Sequence, residues 1–345
     1  MVSYSRHIAV TWSPSVWVRA AATFLAIWLT LGGLRTINAD PILAPDGPPE
    51  LVSPYQLYEL KLQPFYPIPS RPAGVLLHGR INGGPPLRLV LDSGADFIVI
   101  GARAARSASV AASSEMELVG LGSRPARVGQ AETVEIGPVR FRNCRVALVE
   151  GNVIEGADGV IPLSLFSDFL LRLNLPEKTL GLIPYPREQD LASPSSRGVA
   201  QRDLPLVAAV LNGKQSGRVV LDTAAFCSAI SREVAGSPRG RLAPEVRIEA
   251  GTGAATGQLV SSAVHFQIAG QELIPNEVVA LDLSNLSRHY GMHVVGVLGF
   301  PALRPYVLTI SYRDALVKID SPQRFSRREE DGSHNANSPA PLALR

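Results

Sequence analysis

Two aspartates stand at the same point of a repeated pattern. Asp92 ends the segment LRLVLD and is followed by Ser93 and Gly94; Asp222, 130 positions later, ends GRVVLD and is followed by Thr223 and Ala224. A carboxylate directly after an apolar run lands where a strand leaves the core. One such residue alone would only end a strand and cap a turn. Two at matched positions carry more. If a pseudo-twofold axis relates the strand ends, the carboxylates converge, and at about 3 Å they cannot both ionise, so they share one proton. One can then act as general base on a water while the other donates to a substrate carbonyl. The hydroxyls of Ser93 and Thr223 supply hydrogen bonds, and the small Gly94 and Ala224 let backbone N–H groups approach the carboxylates.

The elements that must position these residues are visible as an internal repeat. Shifted by 130 positions, GVLLHGRINGGPPLRLVLDSGADFIVI (74–100) falls without a gap on LPLVAAVLNGKQSGRVVLDTAAFCSAI (204–230). The identities include Asn82/Asn212, Gly83/Gly213, Arg88/Arg218 and Asp92/Asp222. Asn-Gly between two β-prone apolar runs is a strong hairpin signal. The block ends correspond too: GVIPLSLFSDFLLRLNLPEKTLGLI (159–183) and GVLGFPALRPYVLTISYRDALVKI (296–319) each read as a Gly-plus-apolar turn, a short helical piece and a closing hairpin. The expected fold is all-β, with two pseudo-symmetric, barrel-like lobes. The lobes should span 71–186 and 204–320, with a proline-bearing linker over 187–203, a proline-rich lead-in over 40–70 read as extended rather than packed, and a mobile tail over 321–345.

Composition narrows the function classes. In 345 residues, 33 Lys+Arg oppose 30 Asp+Glu, and the excess is too small and too scattered for nucleic-acid binding. Two cysteines exclude a disulfide scaffold and a four-cysteine zinc site. Aromatic residues at 6% disfavour a carbohydrate or stacked-base platform. The N-terminus carries Arg6, His7 and Arg19 ahead of the apolar run Ala20–Leu34. That run is short for a membrane span, which needs roughly 20 residues, and suits a secretory signal cleaved after Ala39 or an uncleaved anchor. The chain is therefore expected in the periplasm or outside the cell, or tethered to the membrane facing outward through residues 20–34.

Asp92-Ser93-Gly94-Ala95 resembles the Asp-Thr/Ser-Gly-Ala signature of the retropepsin and pepsin aspartic proteases. The two-lobed layout over about residues 71–320 is similar to exported bacterial retropepsin-like aspartyl proteases. In that family an apolar-apolar-Gly segment precedes the last strands of each lobe; Val297-Leu298-Gly299 matches it, whereas Val160-Ile161-Pro162 matches only its apolar part. Ala224 likewise stands where the pattern has Gly, where its methyl would intrude and any positive φ would be strained. The resemblance implies catalytic Asp92 and Asp222, no cofactor or metal, a polypeptide substrate, and a monomer holding both lobes. It also implies a flap hairpin after each aspartate, with Gly120 and Gly122 at one tip and Gly251 and Gly253 at the other. Ordinary hairpin turns explain the same glycines.

Other signals are weaker. GTGAATG (251–257) lacks the spacing and the following helix of a dinucleotide site. His289 and His293 have i, i+4 spacing without a third ligand or a Glu base. Ser93 has no nucleophile-elbow surroundings. Cys144 and Cys227, one per lobe, read as buried free thiols, although export would make a bridge between them chemically possible. Three functions compete: an aspartic endopeptidase, a peptide-binding protein of the same fold that has lost catalysis, and a surface module that docks a partner through its lead-in and Arg-rich tail.

Overall fold

Each repeat begins with the hairpin its Asn-Gly pair dictates. Asn82 and Gly83 take φ of 50° and 67°, and Asn212 and Gly213 take 50° and 66°, the left-handed turn that matches strand twist. Both asparagines also bind a neighbouring strand in the same way: Asn82 Oδ1 accepts from Thr133 N, and Asn212 Oδ1 accepts from His265 N. The computed structural model describes residues 29–30, 50–52, 56–68, 71–185, 199–201, 204–236 and 245–321. The tail beyond residue 321, most of the linker, the cleavage position, and all of the 20–34 run except Leu29–Thr30 lie outside the described residues. Leu29 and Thr30 pair antiparallel with Val119 and Leu118. Among the described residues no helix is long and apolar enough to cross a membrane.

The protein is all-β, and its described residues form one ten-stranded sheet for each repeat and a five-stranded sheet shared between them. The two large sheets have the same central order. In the first, Val139–Val149, Ile98–Gly101, Gly159–Pro162, Leu87–Asp92 and Gly74–Ile81 lie side by side; in the second, Val278–Leu281, Ser228–Ser231, Val294–Gly299, Gln215–Asp222 and Leu204–Leu211 do. The first sheet closes on itself, because the long strand Ser123–Ile136 also pairs with Gly74–Ile81 (Gly79 opposite Ile136). In the second, the corresponding pairing, Ala209 opposite Ile268, is made by the separate short strand Phe266–Ile268.

In each sheet the aspartate strand is central and flanked on both sides, so its apolar residues are wholly buried: Leu89, Val90 and Leu91 in one, Val219, Val220 and Leu221 in the other. Burial continues past each strand through Asp92–Ala95 and Asp222–Ile230. The shared sheet joins the closing hairpins Phe169–Asn174/Thr179–Pro184 and Val307–Ser311/Leu316–Asp320 through the pairing Leu171–Asn174 with Val307–Ile310.

The lead-in differs from expectation. Tyr58–Lys61 forms the edge strand of the shared sheet, Gln63–Phe65 pairs with Gly74–Leu76, and Leu60, Leu62 and Phe65 are buried. Prolines on either side mask this short alternation of apolar residues. Phe65 packs on Phe226 of the second lobe, and Arg71 pairs with Glu277, so the segment also ties the lobes together.

Candidate active site

The structure brings Asp92 and Asp222 together. Both are fully buried. A Cβ placed on Gly94 would lie 3.0 Å from Cγ and Oδ2 of Asp222 and 3.2 Å from Oδ1 of Asp92, so both carboxyl groups flank one glycine. Gly94 has no positive φ; it is required here by close approach, not by backbone conformation. Asp92 Oδ1 accepts from Gly94 N at 2.7 Å, and Asp222 Oδ1 accepts from Ala224 N and Ala225 N at 2.9 Å each. Neither Oδ2 finds a donor elsewhere among the described residues; the two carboxyls interact with each other. Burial pushes the Asp92 carboxyl well above the usual carboxylate range, and the Asp222 charge pushes it further, against the pull of the Gly94 N–H. Burial also raises Asp222, while the Ala224 and Ala225 N–H groups hold it back.

The residues after the aspartates lock the two loops to each other. Ser93 N donates to Thr223 Oγ1 and Thr223 N donates to Ser93 Oγ, both at 3.0 Å. The Ser93 hydroxyl donates to Leu221 O and the Thr223 hydroxyl to Leu91 O, both at 2.7 Å. These four bonds obey the pseudo-twofold relation of the repeat. Every one is buried and joins a hydroxyl of one lobe to the backbone of the other, so two short, immobilised side chains fix the loops that carry the carboxyls.

Residues 77–165, which hold Asp92 and most of the first lobe, match the family model of the aspartyl proteases. The first lobe is thus similar to an aspartyl protease domain. Its pairing with a second, repeated lobe supports aspartic-type peptidase chemistry. No curated protein matches the chain. Among solved structures, the aspartic proteinase from Irpex lacteus is 11% identical, with a TM-score of 0.49 over 77% of this chain and 97% of that one.

The two departures from the aspartyl protease pattern have physical counterparts. Ala224 is not among the residues with positive φ, so the feared backbone strain is absent. Its methyl joins the apolar cluster containing Phe65, Val90 and Ala95. Pro162 and Gly299 sit in parallel register with Asp92 and Asp222 respectively. Gly299 is enforced, because a Cβ there would lie 2.3 Å from Cys227 O, and its N–H donates to Ser228 Oγ at 3.1 Å. Pro162 has no N–H to satisfy, and the residue matched to Ser228 is the apolar Ile98. Each lobe is therefore self-consistent.

The candidate flap tips meet. Gly120 N donates to Gly122 O in the turn between Ala112–Val119 and Ser123–Ile136. A Cβ on Gly122 would lie 2.9 Å from Thr252 O, and Gly253 takes a φ of 132° at the opposing tip. The Arg124 guanidinium donates to Gly251 O. Leu121, a residue the sequence did not single out, is buried in the apolar cluster of the second lobe with Val220, Ile248 and Leu281. Thr252, whose carbonyl faces Gly122, is also fully buried.

The weaker signals fall elsewhere. His289 stacks edge-on against Tyr290 at the end of the helix Ser284–Tyr290, and His293 meets Glu233 on the surface. Cys144 and Cys227 are buried free thiols, both pushed up to about 12 by burial. Such thiols stay neutral and are poor nucleophiles.

Proposed function

We propose that the chain is an aspartic endopeptidase that hydrolyses polypeptides with a two-aspartate dyad formed by Asp92 and Asp222 between the lobes. The observation that carries this is a pair of buried carboxyls that flank one glycine, accept backbone N–H groups on Oδ1 alone among the described residues, and interact with each other. A buried pair of that kind holds one proton between two groups. Water placed between the two carboxyls loses a proton to the charged carboxyl as it attacks the carbonyl carbon, and the protonated carboxyl donates to the carbonyl oxygen. The resulting gem-diol collapses as the first carboxyl hands its proton to the nitrogen, the C–N bond breaks, and a diol hydroxyl returns a proton to the second. One water is consumed, and an acid and an amine are released. Ser93 and Thr223 hold the geometry, and the N–H groups of Gly94 and Ala224 orient the carboxyls. The hairpins tipped by Gly120, Gly122, Gly251 and Gly253 must part to admit a polypeptide, and their glycines make that motion accessible.

The polar start and the Ala20–Leu34 apolar run support action in the periplasm or outside the cell, with a single chain supplying both aspartates. The test is incubation of the protein with an unfolded polypeptide at mildly acidic pH, with and without a transition-state-mimicking aspartic-protease inhibitor. Inhibitor-sensitive cleavage is expected. Tight peptide binding without cleavage would favour a fold that has kept its site and lost catalysis.

A further inference from the structure

The two carboxyls are equivalent in the repeat but not in their surroundings. Asp222 Oδ1 receives two backbone N–H groups, whereas Asp92 Oδ1 receives one. Each N–H aimed at a carboxylate favours its charged form. Four residues after Asp92 comes Asp96, half-buried, whose negative charge opposes that of Asp92. The matched residue after Asp222 is Phe226, buried with its ring centroid 6.4 Å from that of Phe65. A second negative charge therefore opposes ionisation of Asp92 only. The charged or titratable groups that bear on Asp92 are Asp222 and Asp96. On the Asp222 side stand Asp92 and the neutral thiol of Cys227; beyond that thiol, Arg71 and Glu277 pair with each other.

We propose that the proton of the resting pair resides on Asp92, that Asp96 is the positioning residue that keeps it there, and that Asp222 is the carboxylate that takes the proton from water. This rests on the peptidase reading above and assigns its two roles. Asp222 gains the proton released as the water oxygen bonds to the carbonyl carbon, while Asp92 gives its proton to the carbonyl oxygen. When the C–N bond breaks, Asp222 delivers its proton to the departing nitrogen and Asp92 recovers one from the diol, so each carboxyl ends as it began. The base belongs to the second lobe and the acid to the first.

The test has two arms. In the first, the surviving carboxyl is titrated by carbon NMR of labelled aspartate in Asp222→Asn and in Asp92→Asn. The lone Asp92 should protonate at a pH about one unit or more above the lone Asp222. Equal values, or the opposite order, would overturn the proposal, and this arm needs no turnover, so it reads correctly even if the chain hydrolyses nothing. In the second, kcat/KM is followed against pH in the wild type, Asp96→Asn and Asp96→Glu. Removing the Asp96 charge should move the alkaline limb to lower pH by about half a unit or more, because the shared proton is then held less tightly. Asp96→Glu should restore the limb, and a limb that stays put in Asp96→Asn contradicts the role of Asp96. A purely structural defect would lower the whole profile without shifting it.

Discussion

The first and second aspartate loops follow one backbone course and exchange symmetric bonds, yet each has resolved its local constraints differently. The first uses Gly94, which leaves room for the facing carboxyl, beside Pro162 and Ile98. The second tolerates the Ala224 methyl within an apolar cluster and uses Gly299 bound to Ser228. The first loop carries the charge of Asp96 and the second the ring of Phe226. What both keep are the aspartate, the hydroxyl residue and an N–H two residues after the carboxylate. Divergence within a duplicated frame thus separates the parts that hold the carboxyls from the parts that tune them.

The sharpest way to break the comparison is to put a methyl group on the first loop. Gly94→Ala would drive Cβ into both carboxyls at once, and turnover should fall by roughly 100-fold or more. Next come the cross-lobe bonds. Ser93→Ala or Thr223→Ala leaves a buried N–H and a buried carbonyl without partners, and each should cost about 2–4 kcal/mol in denaturant unfolding. The double variant should cost less than the sum, because both changes break one network.

A pH series sharpens the contrast with an ordinary salt-bridged aspartate. Burial holds Asp92 above its unfolded range, so the folded chain keeps a proton that the unfolded chain releases near pH 4. Its contribution to stability is therefore fullest below about pH 4 and is lost as the pH rises toward its folded value. Asp92→Asn, neutral throughout, should be more stable than the wild type near neutral pH, with the gain vanishing toward pH 4. Thermal unfolding of both proteins across that range checks the sign. The smallest effect is expected from Ala224→Gly, which removes a methyl the second loop already accommodates. Activity should stay within about threefold of wild type or rise.

Much of this was legible in the chain because the repeat constrains it. A gapless shift aligned the hairpins, both Asn-Gly turns and both aspartates, and the sheet orders follow from that alignment. What stayed hidden depends on contacts distant in sequence. Tyr58–Phe65 reads as proline-rich lead-in because its few apolar residues gain meaning only against strand partners such as Leu180, opposite Leu60, and Gly74, opposite Phe65. Leu121 looked like any turn residue, since its cluster belongs to the other lobe. Pro162 looked like a defect until register placed it opposite Asp92, with Ile98 where its counterpart has Ser228. Asp96, a lone acidic residue in a loop, carries no signal until the fold brings its charge to bear on a buried carboxyl.

The most direct test of the central claim is the turnover of Asp222→Asn on an unfolded polypeptide, measured beside wild type with folding verified by circular dichroism. If two carboxyls act as one unit, removing the second lobe's member abolishes hydrolysis as completely as Asp92→Asn does, and the double variant is no worse than either. Near-wild-type turnover in a folded Asp222→Asn protein would contradict the claim and require Asp92 to act with a different partner.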